Sequence, residues 1–141
     1  MSKYEYNKNF GVKMDKIVEN SAEKAFAVYK QSLQDLVEEA SIPVKAGGKM
    51  PVRTGFLRLS GTGAINQIPK GESEGQKDAI YQSNPTKSIT PILAELKPTD
   101  KFFYGWSARY AIYQEFIHGF LVSACAKWQS FVDKNIRSLK R

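Results

Sequence analysis

The chain has one cysteine, one histidine, no run of eighteen apolar residues, and no acidic residue between positions 41 and 70. Each scarcity excludes something. A lone Cys125 cannot close an intrachain disulfide, and with His118 as the only imidazole a zinc site of the Cys/His type is ruled out. No loop has the oxygen-ligand spacing of a calcium or magnesium site, so no metal or other cofactor is expected. The lack of a long apolar run argues against a membrane span. The start, Met1-Ser2-Lys3-Tyr4-Glu5-Tyr6, lacks the apolar core of a secretory signal, which points to folding in a reducing cytoplasm.

Catalytic arrangements are equally thin. Cys125 and His118 are seven residues apart and would sit about 10 Å apart along one helix, too far for a thiolate–imidazole pair. Cys125 also falls on an apolar stripe, where a small buried hydrophobe is expected. Glu115 and Asp133 are the only acids after residue 100, so a paired-carboxylate hydrolase is not supported. Glu115 instead suggests an ion pair or a hydrogen bond to a loop, with Arg109 or Arg53 as partner. The strings Ala46-Gly47-Gly48-Lys49 and Ser60-Gly61-Thr62-Gly63 lack the helix start that a phosphate cradle needs. The residues point to a non-enzymatic protein.

What is present is patterned charge and helical periodicity. The net charge is +7 in 141 residues. Residues 41–70 hold five cations and no acid, residues 71–100 five acids against three cations, and residues 101–141 seven cations against two acids. Two basic blocks flanking an acidic one suit acidic partners or polyanions. A small basic DNA-binding protein working through non-specific phosphate contacts is therefore the alternative function, its affinity expected to fall steeply with salt. Phe102, Phe103, Tyr104 and Trp106 could stack bases, although such alternation more often builds a core.

The length fits a single domain spanning residues 1–141. Apolar residues from Val12 through Val28, Leu33 and Val37 to Ala40 step by three and four, predicting one long amphipathic helix over 12–40, stopped before Pro43. Such a helix either spans the domain face or reaches a neighbouring subunit. Residues 41–75 carry seven of the ten glycines and three of the six prolines. The stretch 41–78 therefore reads as a flexible basic loop with at most one short strand, near 56–60 or 64–68, and with 71–78 as a mobile polar tip. Short strands are expected at Ala79–Gln82, at Ser88–Leu96 with Pro91 marking an edge or bulge, and at Lys101–Ser107, forming an antiparallel meander. A closing helix is predicted over 121–139. The fold class is α+β: a long N-terminal helix and a C-terminal helix on a small antiparallel sheet, with a long basic loop.

Two segments carry most information, Pro51-Val52-Arg53-Thr54-Gly55-Phe56-Leu57-Arg58-Leu59-Ser60 and Tyr110-Ala111-Ile112-Tyr113-Gln114-Glu115-Phe116. The first resembles the P-V-x-T-G-x-L-R-x-S signature of the neck and tail-completion proteins of long-tailed bacteriophages, which include relatives of the lambda minor tail protein Z. The second is similar to that family's Y-A-x-Y-x-E-F-G, and Phe120-Leu121-Val122-Ser123-Ala124 to its F-L-x-x-A. Order and spacing run through nearly the whole chain. The chain departs from the pattern after Phe116, where Ile117-His118-Gly119 replaces a longer loop, and this leaves the local conformation open.

The resemblance implies a structural virion protein, without enzymatic activity or cofactor, assembled in the bacterial cytoplasm. It implies a homo-oligomeric ring, six-fold in the family, between head-closure or connector proteins and tail-terminator proteins, with DNA passing its lumen and no membrane partner. In that reading Arg53, Thr54, Gly55, Leu57 and Arg58 form a loop anchor. Tyr110, Tyr113, Glu115 and Phe116 receive it, with Arg53 or Arg58 paired to Glu115.

Overall fold

The structure is a computed structural model that describes residues 8–77, 79–82 and 85–139, with the side chains of 8–19 and 85–87 outside the description. Helix α1 runs Lys8–Ala40, α2 is a single turn at Phe56–Leu59, and strand β1 is Gly61–Ile65. Then come α3 at Pro85–Glu95, β2 at Phe102–Trp106, α4 at Ala111–His118, α5 at Phe120–Ala126 and α6 at Trp128–Leu139. The architecture is mixed α+β, with a long N-terminal helix, C-terminal helices and a two-stranded antiparallel sheet. Among the described residues no helix is long and apolar enough to cross a membrane.

At 33 residues α1 is about 50 Å long. It starts before Gly11, earlier than the apolar stripe suggests. Its C-terminal half does the packing: Val28, Val37 and Ala40 are buried, whereas Ala22 and Ala25 are exposed. Val37 meets Ile89, Leu93 and Leu96 in one cluster, with Leu33, Ile65 and Phe102 packed against it. A second cluster gathers Met50, Phe56, Leu57, Ala108 and Phe120.

The predicted strand over 88–96 is instead part of α3. Ile89, Leu93 and Leu96 step by four and three, so burial against α1 demands a helix. Pro91 lies inside that helix on its exposed side, where water can serve the carbonyl left without a helical partner. Among the described residues the meander reduces to one pair, β1–β2, because Ala79–Gln82 forms no strand and meets the arm through the Tyr81 N–H, which donates to the Thr54 carbonyl at 2.6 Å. The expected loop over 41–78 is largely organised. Met50 is fully buried and donates its N–H to the Ile42 carbonyl at 3.1 Å. Phe56–Leu59 turns as a helix, and the strand falls at Gly61–Ile65. The polar tip is tied down: Ser107 Oγ donates to the Glu72 carbonyl at 2.6 Å and the Arg109 N–H to the Ser73 carbonyl at 2.9 Å. Asp78, within that expectation, lies outside the described residues.

Strand β2 alternates as its sequence requires. Phe102, Tyr104 and Trp106 share the inner face, with ring centroids 6.4 and 5.2 Å apart, and Trp106 meets Phe120 edge-on at 5.0 Å. Gly61 and Gly63 sit opposite Trp106 and Tyr104 and leave room for the rings. Burial pushes the Tyr104 phenol up to about 12 from 10.0, opposed by a weaker hydrogen bond with Ser88. The fold thus favours the neutral phenol, a contribution complete below pH 10 and lost as pH rises from 10 towards 12. Urea unfolding between pH 9 and 12 is expected to show about 2–3 kcal/mol of alkaline loss from this group, absent in Tyr104→Phe. Parallel curves for the two proteins would contradict it.

The single C-terminal helix is broken at Lys127 into α5 and α6. Helix α5 turns Phe120 and Ala124 to the core, so Cys125 is exposed rather than buried. Asn135 on α6 is buried. Its Nδ2 donates to Ser32 Oγ at 3.0 Å and to Asp35 Oδ2 at 2.9 Å on α1. Lys134 Nζ approaches the same Asp35 oxygen at 3.1 Å.

Candidate interaction site

The arm begins at Thr54 and Gly55. Gly55 has φ +87°, in the left-handed region that side chains disfavour, and it caps the first turn of α2. A Cβ there would stand 2.1 Å from the Tyr81 carbonyl oxygen. Conformation and space both require glycine. The Thr54 carbonyl accepts from Tyr81 N–H, and its Oγ1 accepts from Phe56 N–H at 3.3 Å. The turn drives Phe56 and Leu57 into the core and leaves Arg53 exposed.

The corner comes from the other side. Arg109 pairs with Glu74, and the Tyr110 hydroxyl takes a hydrogen bond from the Leu57 backbone, while partial burial raises its pKa. Arm and corner therefore meet directly. Between them lies a cleft of about 630 Å³ with Phe56, Leu57 and Tyr81 among its apolar lining and Arg53, Glu74, Arg109, Tyr110 and Gln114 among its polar groups. Gln76 N–H donates to the Tyr81 hydroxyl at 2.8 Å, so residues 74–76 form one wall. The lining combines apolar rings with charged and amide groups, the makeup of a binding cleft.

Two expected roles are corrected. Leu57 is a core residue and Arg58 is engaged inside the fold, its Nε donating to the Ser41 carbonyl at 2.8 Å. Glu115 pairs with neither Arg53 nor Arg58. Its Oε2 accepts from Leu121 N–H at 2.8 Å and its Oε1 from Val122 N–H at 2.9 Å. The one-residue bend between α4 and α5 explains this. Gly119, at φ +64°, ends α4 and starts α5 in one residue, donating its N–H to the Glu115 carbonyl at 2.8 Å. It has no side chain to cap α5, and the Glu115 carboxylate reaches over the bend to do so. Glu115→Ala is expected to cost about 1–2 kcal/mol in urea unfolding, and Glu115→Gln less. Wild-type stability in Glu115→Ala would refute the capping role.

Tyr113 and Phe116 are not in the cleft lining. They point outward with Ile112 and Ile117, and α4 buries none of its residues. The i, i+1, i+4, i+5 spacing of these four is a readable helical signal. Glu74, Tyr81 and Gln114, by contrast, carry no sequence signal for the cleft, because chain path alone brings them there. His118 and Cys125 lie on different helices and are both exposed. Among the described residues no cluster of three or more His, Cys, Asp or Glu could hold a metal ion. Of the basic blocks, Arg58, Arg109, Lys127 and Lys134 are engaged by protein groups, the last two with Glu39 and Asp35. Compared with known proteins, the chain matches no family model, no curated protein and no solved structure.

Proposed function

We propose that this chain is a non-enzymatic structural subunit of a phage neck, a ring protein that joins tail to head connector. The observation that carries the reading is the single cleft formed where residues 53–57 meet Tyr110 and Gln114. The two segments that resemble the neck-protein signatures, fifty residues apart in sequence, thus form one surface. Its apolar lining and exposed Arg53 suit a segment of a neighbouring protein bearing a carboxylate. The outward apolar side chains of α4 provide a further contact surface beside it. Arg58, Arg109, Lys127 and Lys134 already serve the Ser41 carbonyl, Glu74, Glu39 and Asp35, and this reduces the charge left for a polyanion.

The test is co-sedimentation of the purified chain with tails from the phage that encodes it, alongside its mass in solution. Binding to tails, weakened at least tenfold by Arg53→Glu without a change in folding, is the expected result. A chain that stays monomeric and never joins tails or filled heads would overturn the proposal, and so would Arg53→Glu binding as wild type.

A further inference from the structure

We propose that the outward face of α4 seats in the apolar groove between α1 and α6 of a second copy of this chain. This rests on the reading of the protein as a self-assembling subunit and names the contact between subunits. Ile112, Tyr113, Phe116 and Ile117 form one continuous stripe, and Phe116 is 92% exposed. Phe116 is therefore not seated in a groove among the described residues. A stripe of this kind on a helix that buries nothing marks a contact surface. The helix is held firmly behind it: Gln114 lines the cleft, Glu115 caps α5, and Gly119 closes the C-terminal end.

The same chain carries the matching concavity. Between α1 and α6 lies a groove of about 420 Å³ whose lining includes Val28, Tyr29, Trp128, Val132 and Ile136, with Lys24 the one charged residue. Ridge and groove are on different elements, so one copy can fill the next without reciprocal contact, and the proposed arrangement is head-to-tail. Repeated, it closes a ring or extends a filament, whereas a two-fold contact would stop at a dimer. Each ring of Tyr113 and Phe116 offers roughly 150–250 Å². With the two isoleucines the stripe supplies much of the roughly 800 Å² per partner of a standard interface. The hydrogen bonds that tie α6 to α1, Asn135 on Ser32 and Asp35, keep the groove preformed.

Sedimentation velocity on the full chain separates the possibilities. Phe116→Glu spoils the ridge and Ile136→Glu the groove; because Ile136 is partly packed, Ala25→Glu, an exposed position of the groove lining, serves as a second groove variant. Wild type is expected to associate beyond a dimer, and each variant alone to lose association at least tenfold. An equimolar mixture of a ridge variant and a groove variant should give a heterodimer and nothing larger, because one intact ridge and one intact groove remain. A mixture that stays monomeric, folded groove variants that associate as wild type, or a wild type monomeric throughout would each overturn the proposal. Association through ridge and groove without binding to tails would retain this contact and sink the neck reading. Tail binding with ridge and groove variants unaffected in self-association would retain the neck reading and sink the contact.

Discussion

Replacing Gly55 by alanine is expected to destabilise the protein by about 3 kcal/mol. Two costs add. A non-glycine residue at φ +87° is strained, and the new Cβ would meet the Tyr81 carbonyl oxygen at 2.1 Å. Relief requires moving the arm away from Tyr81, which breaks the Thr54–Tyr81 hydrogen bond and withdraws Phe56 from the Tyr81 ring, 5.5 Å away by centroids. The cleft is lost with it. Gly47 is the internal control, because it has φ +90° but a Cβ added there would meet nothing within 4 Å. Gly47→Ala should therefore show the conformational cost alone, about 1 kcal/mol. Urea midpoints of the two variants measure the difference, and equal losses would refute the close approach at Tyr81.

Asn135→Ala is expected to cost about 2–3 kcal/mol. Asn135 Nδ2 serves two buried acceptors at once, the Ser32 hydroxyl and the Asp35 carboxylate, and its removal leaves the hydroxyl without that donor. Gln31 Nε2 at 3.1 Å and Lys134 remain for Asp35, which keeps the loss below that of an isolated buried charge. The exposed pair Gln129–Asp133 on the same helix is the comparison: Gln129→Ala should change stability by no more than about 0.5 kcal/mol. A double-mutant cycle of Asn135→Ala with Ser32→Ala should give a coupling above about 0.5 kcal/mol. Additive losses would show that the two side chains act independently. Because this node fixes α6 on α1, Asn135→Ala should also weaken self-association.

Helix α1 is legible in the sequence because its apolar steps persist over many turns, far longer than chance alternation. Strand β2 is legible because Phe102, Tyr104 and Trp106 alternate without interruption. Helix α3 is not, because Pro91 signals a strand edge more loudly than the Ile89–Leu93–Leu96 spacing signals a helix. Yet an exposed proline costs a helix one backbone hydrogen bond and not its packing face. The segment 41–78 reads as wholly loose and is not. Its glycines and prolines exclude long elements, but they do not prevent Met50, Phe56 and Leu57 from being buried by partners elsewhere in the chain.

By itself the sequence determined what is local: a long helix, an aromatic strand, a basic stretch without acids, and the impossibility of an intrachain disulfide or a Cys/His metal site. Only the tertiary structure decided which groups meet. Glu115 caps a helix rather than binding an arginine because Gly119 folds α5 back onto it. Arg58 serves the Ser41 carbonyl, and Asn135 serves side chains a hundred positions away. Periodicity records which face of an element is apolar. The partner of that face depends on the path of the intervening chain, and residue spacing does not encode that path.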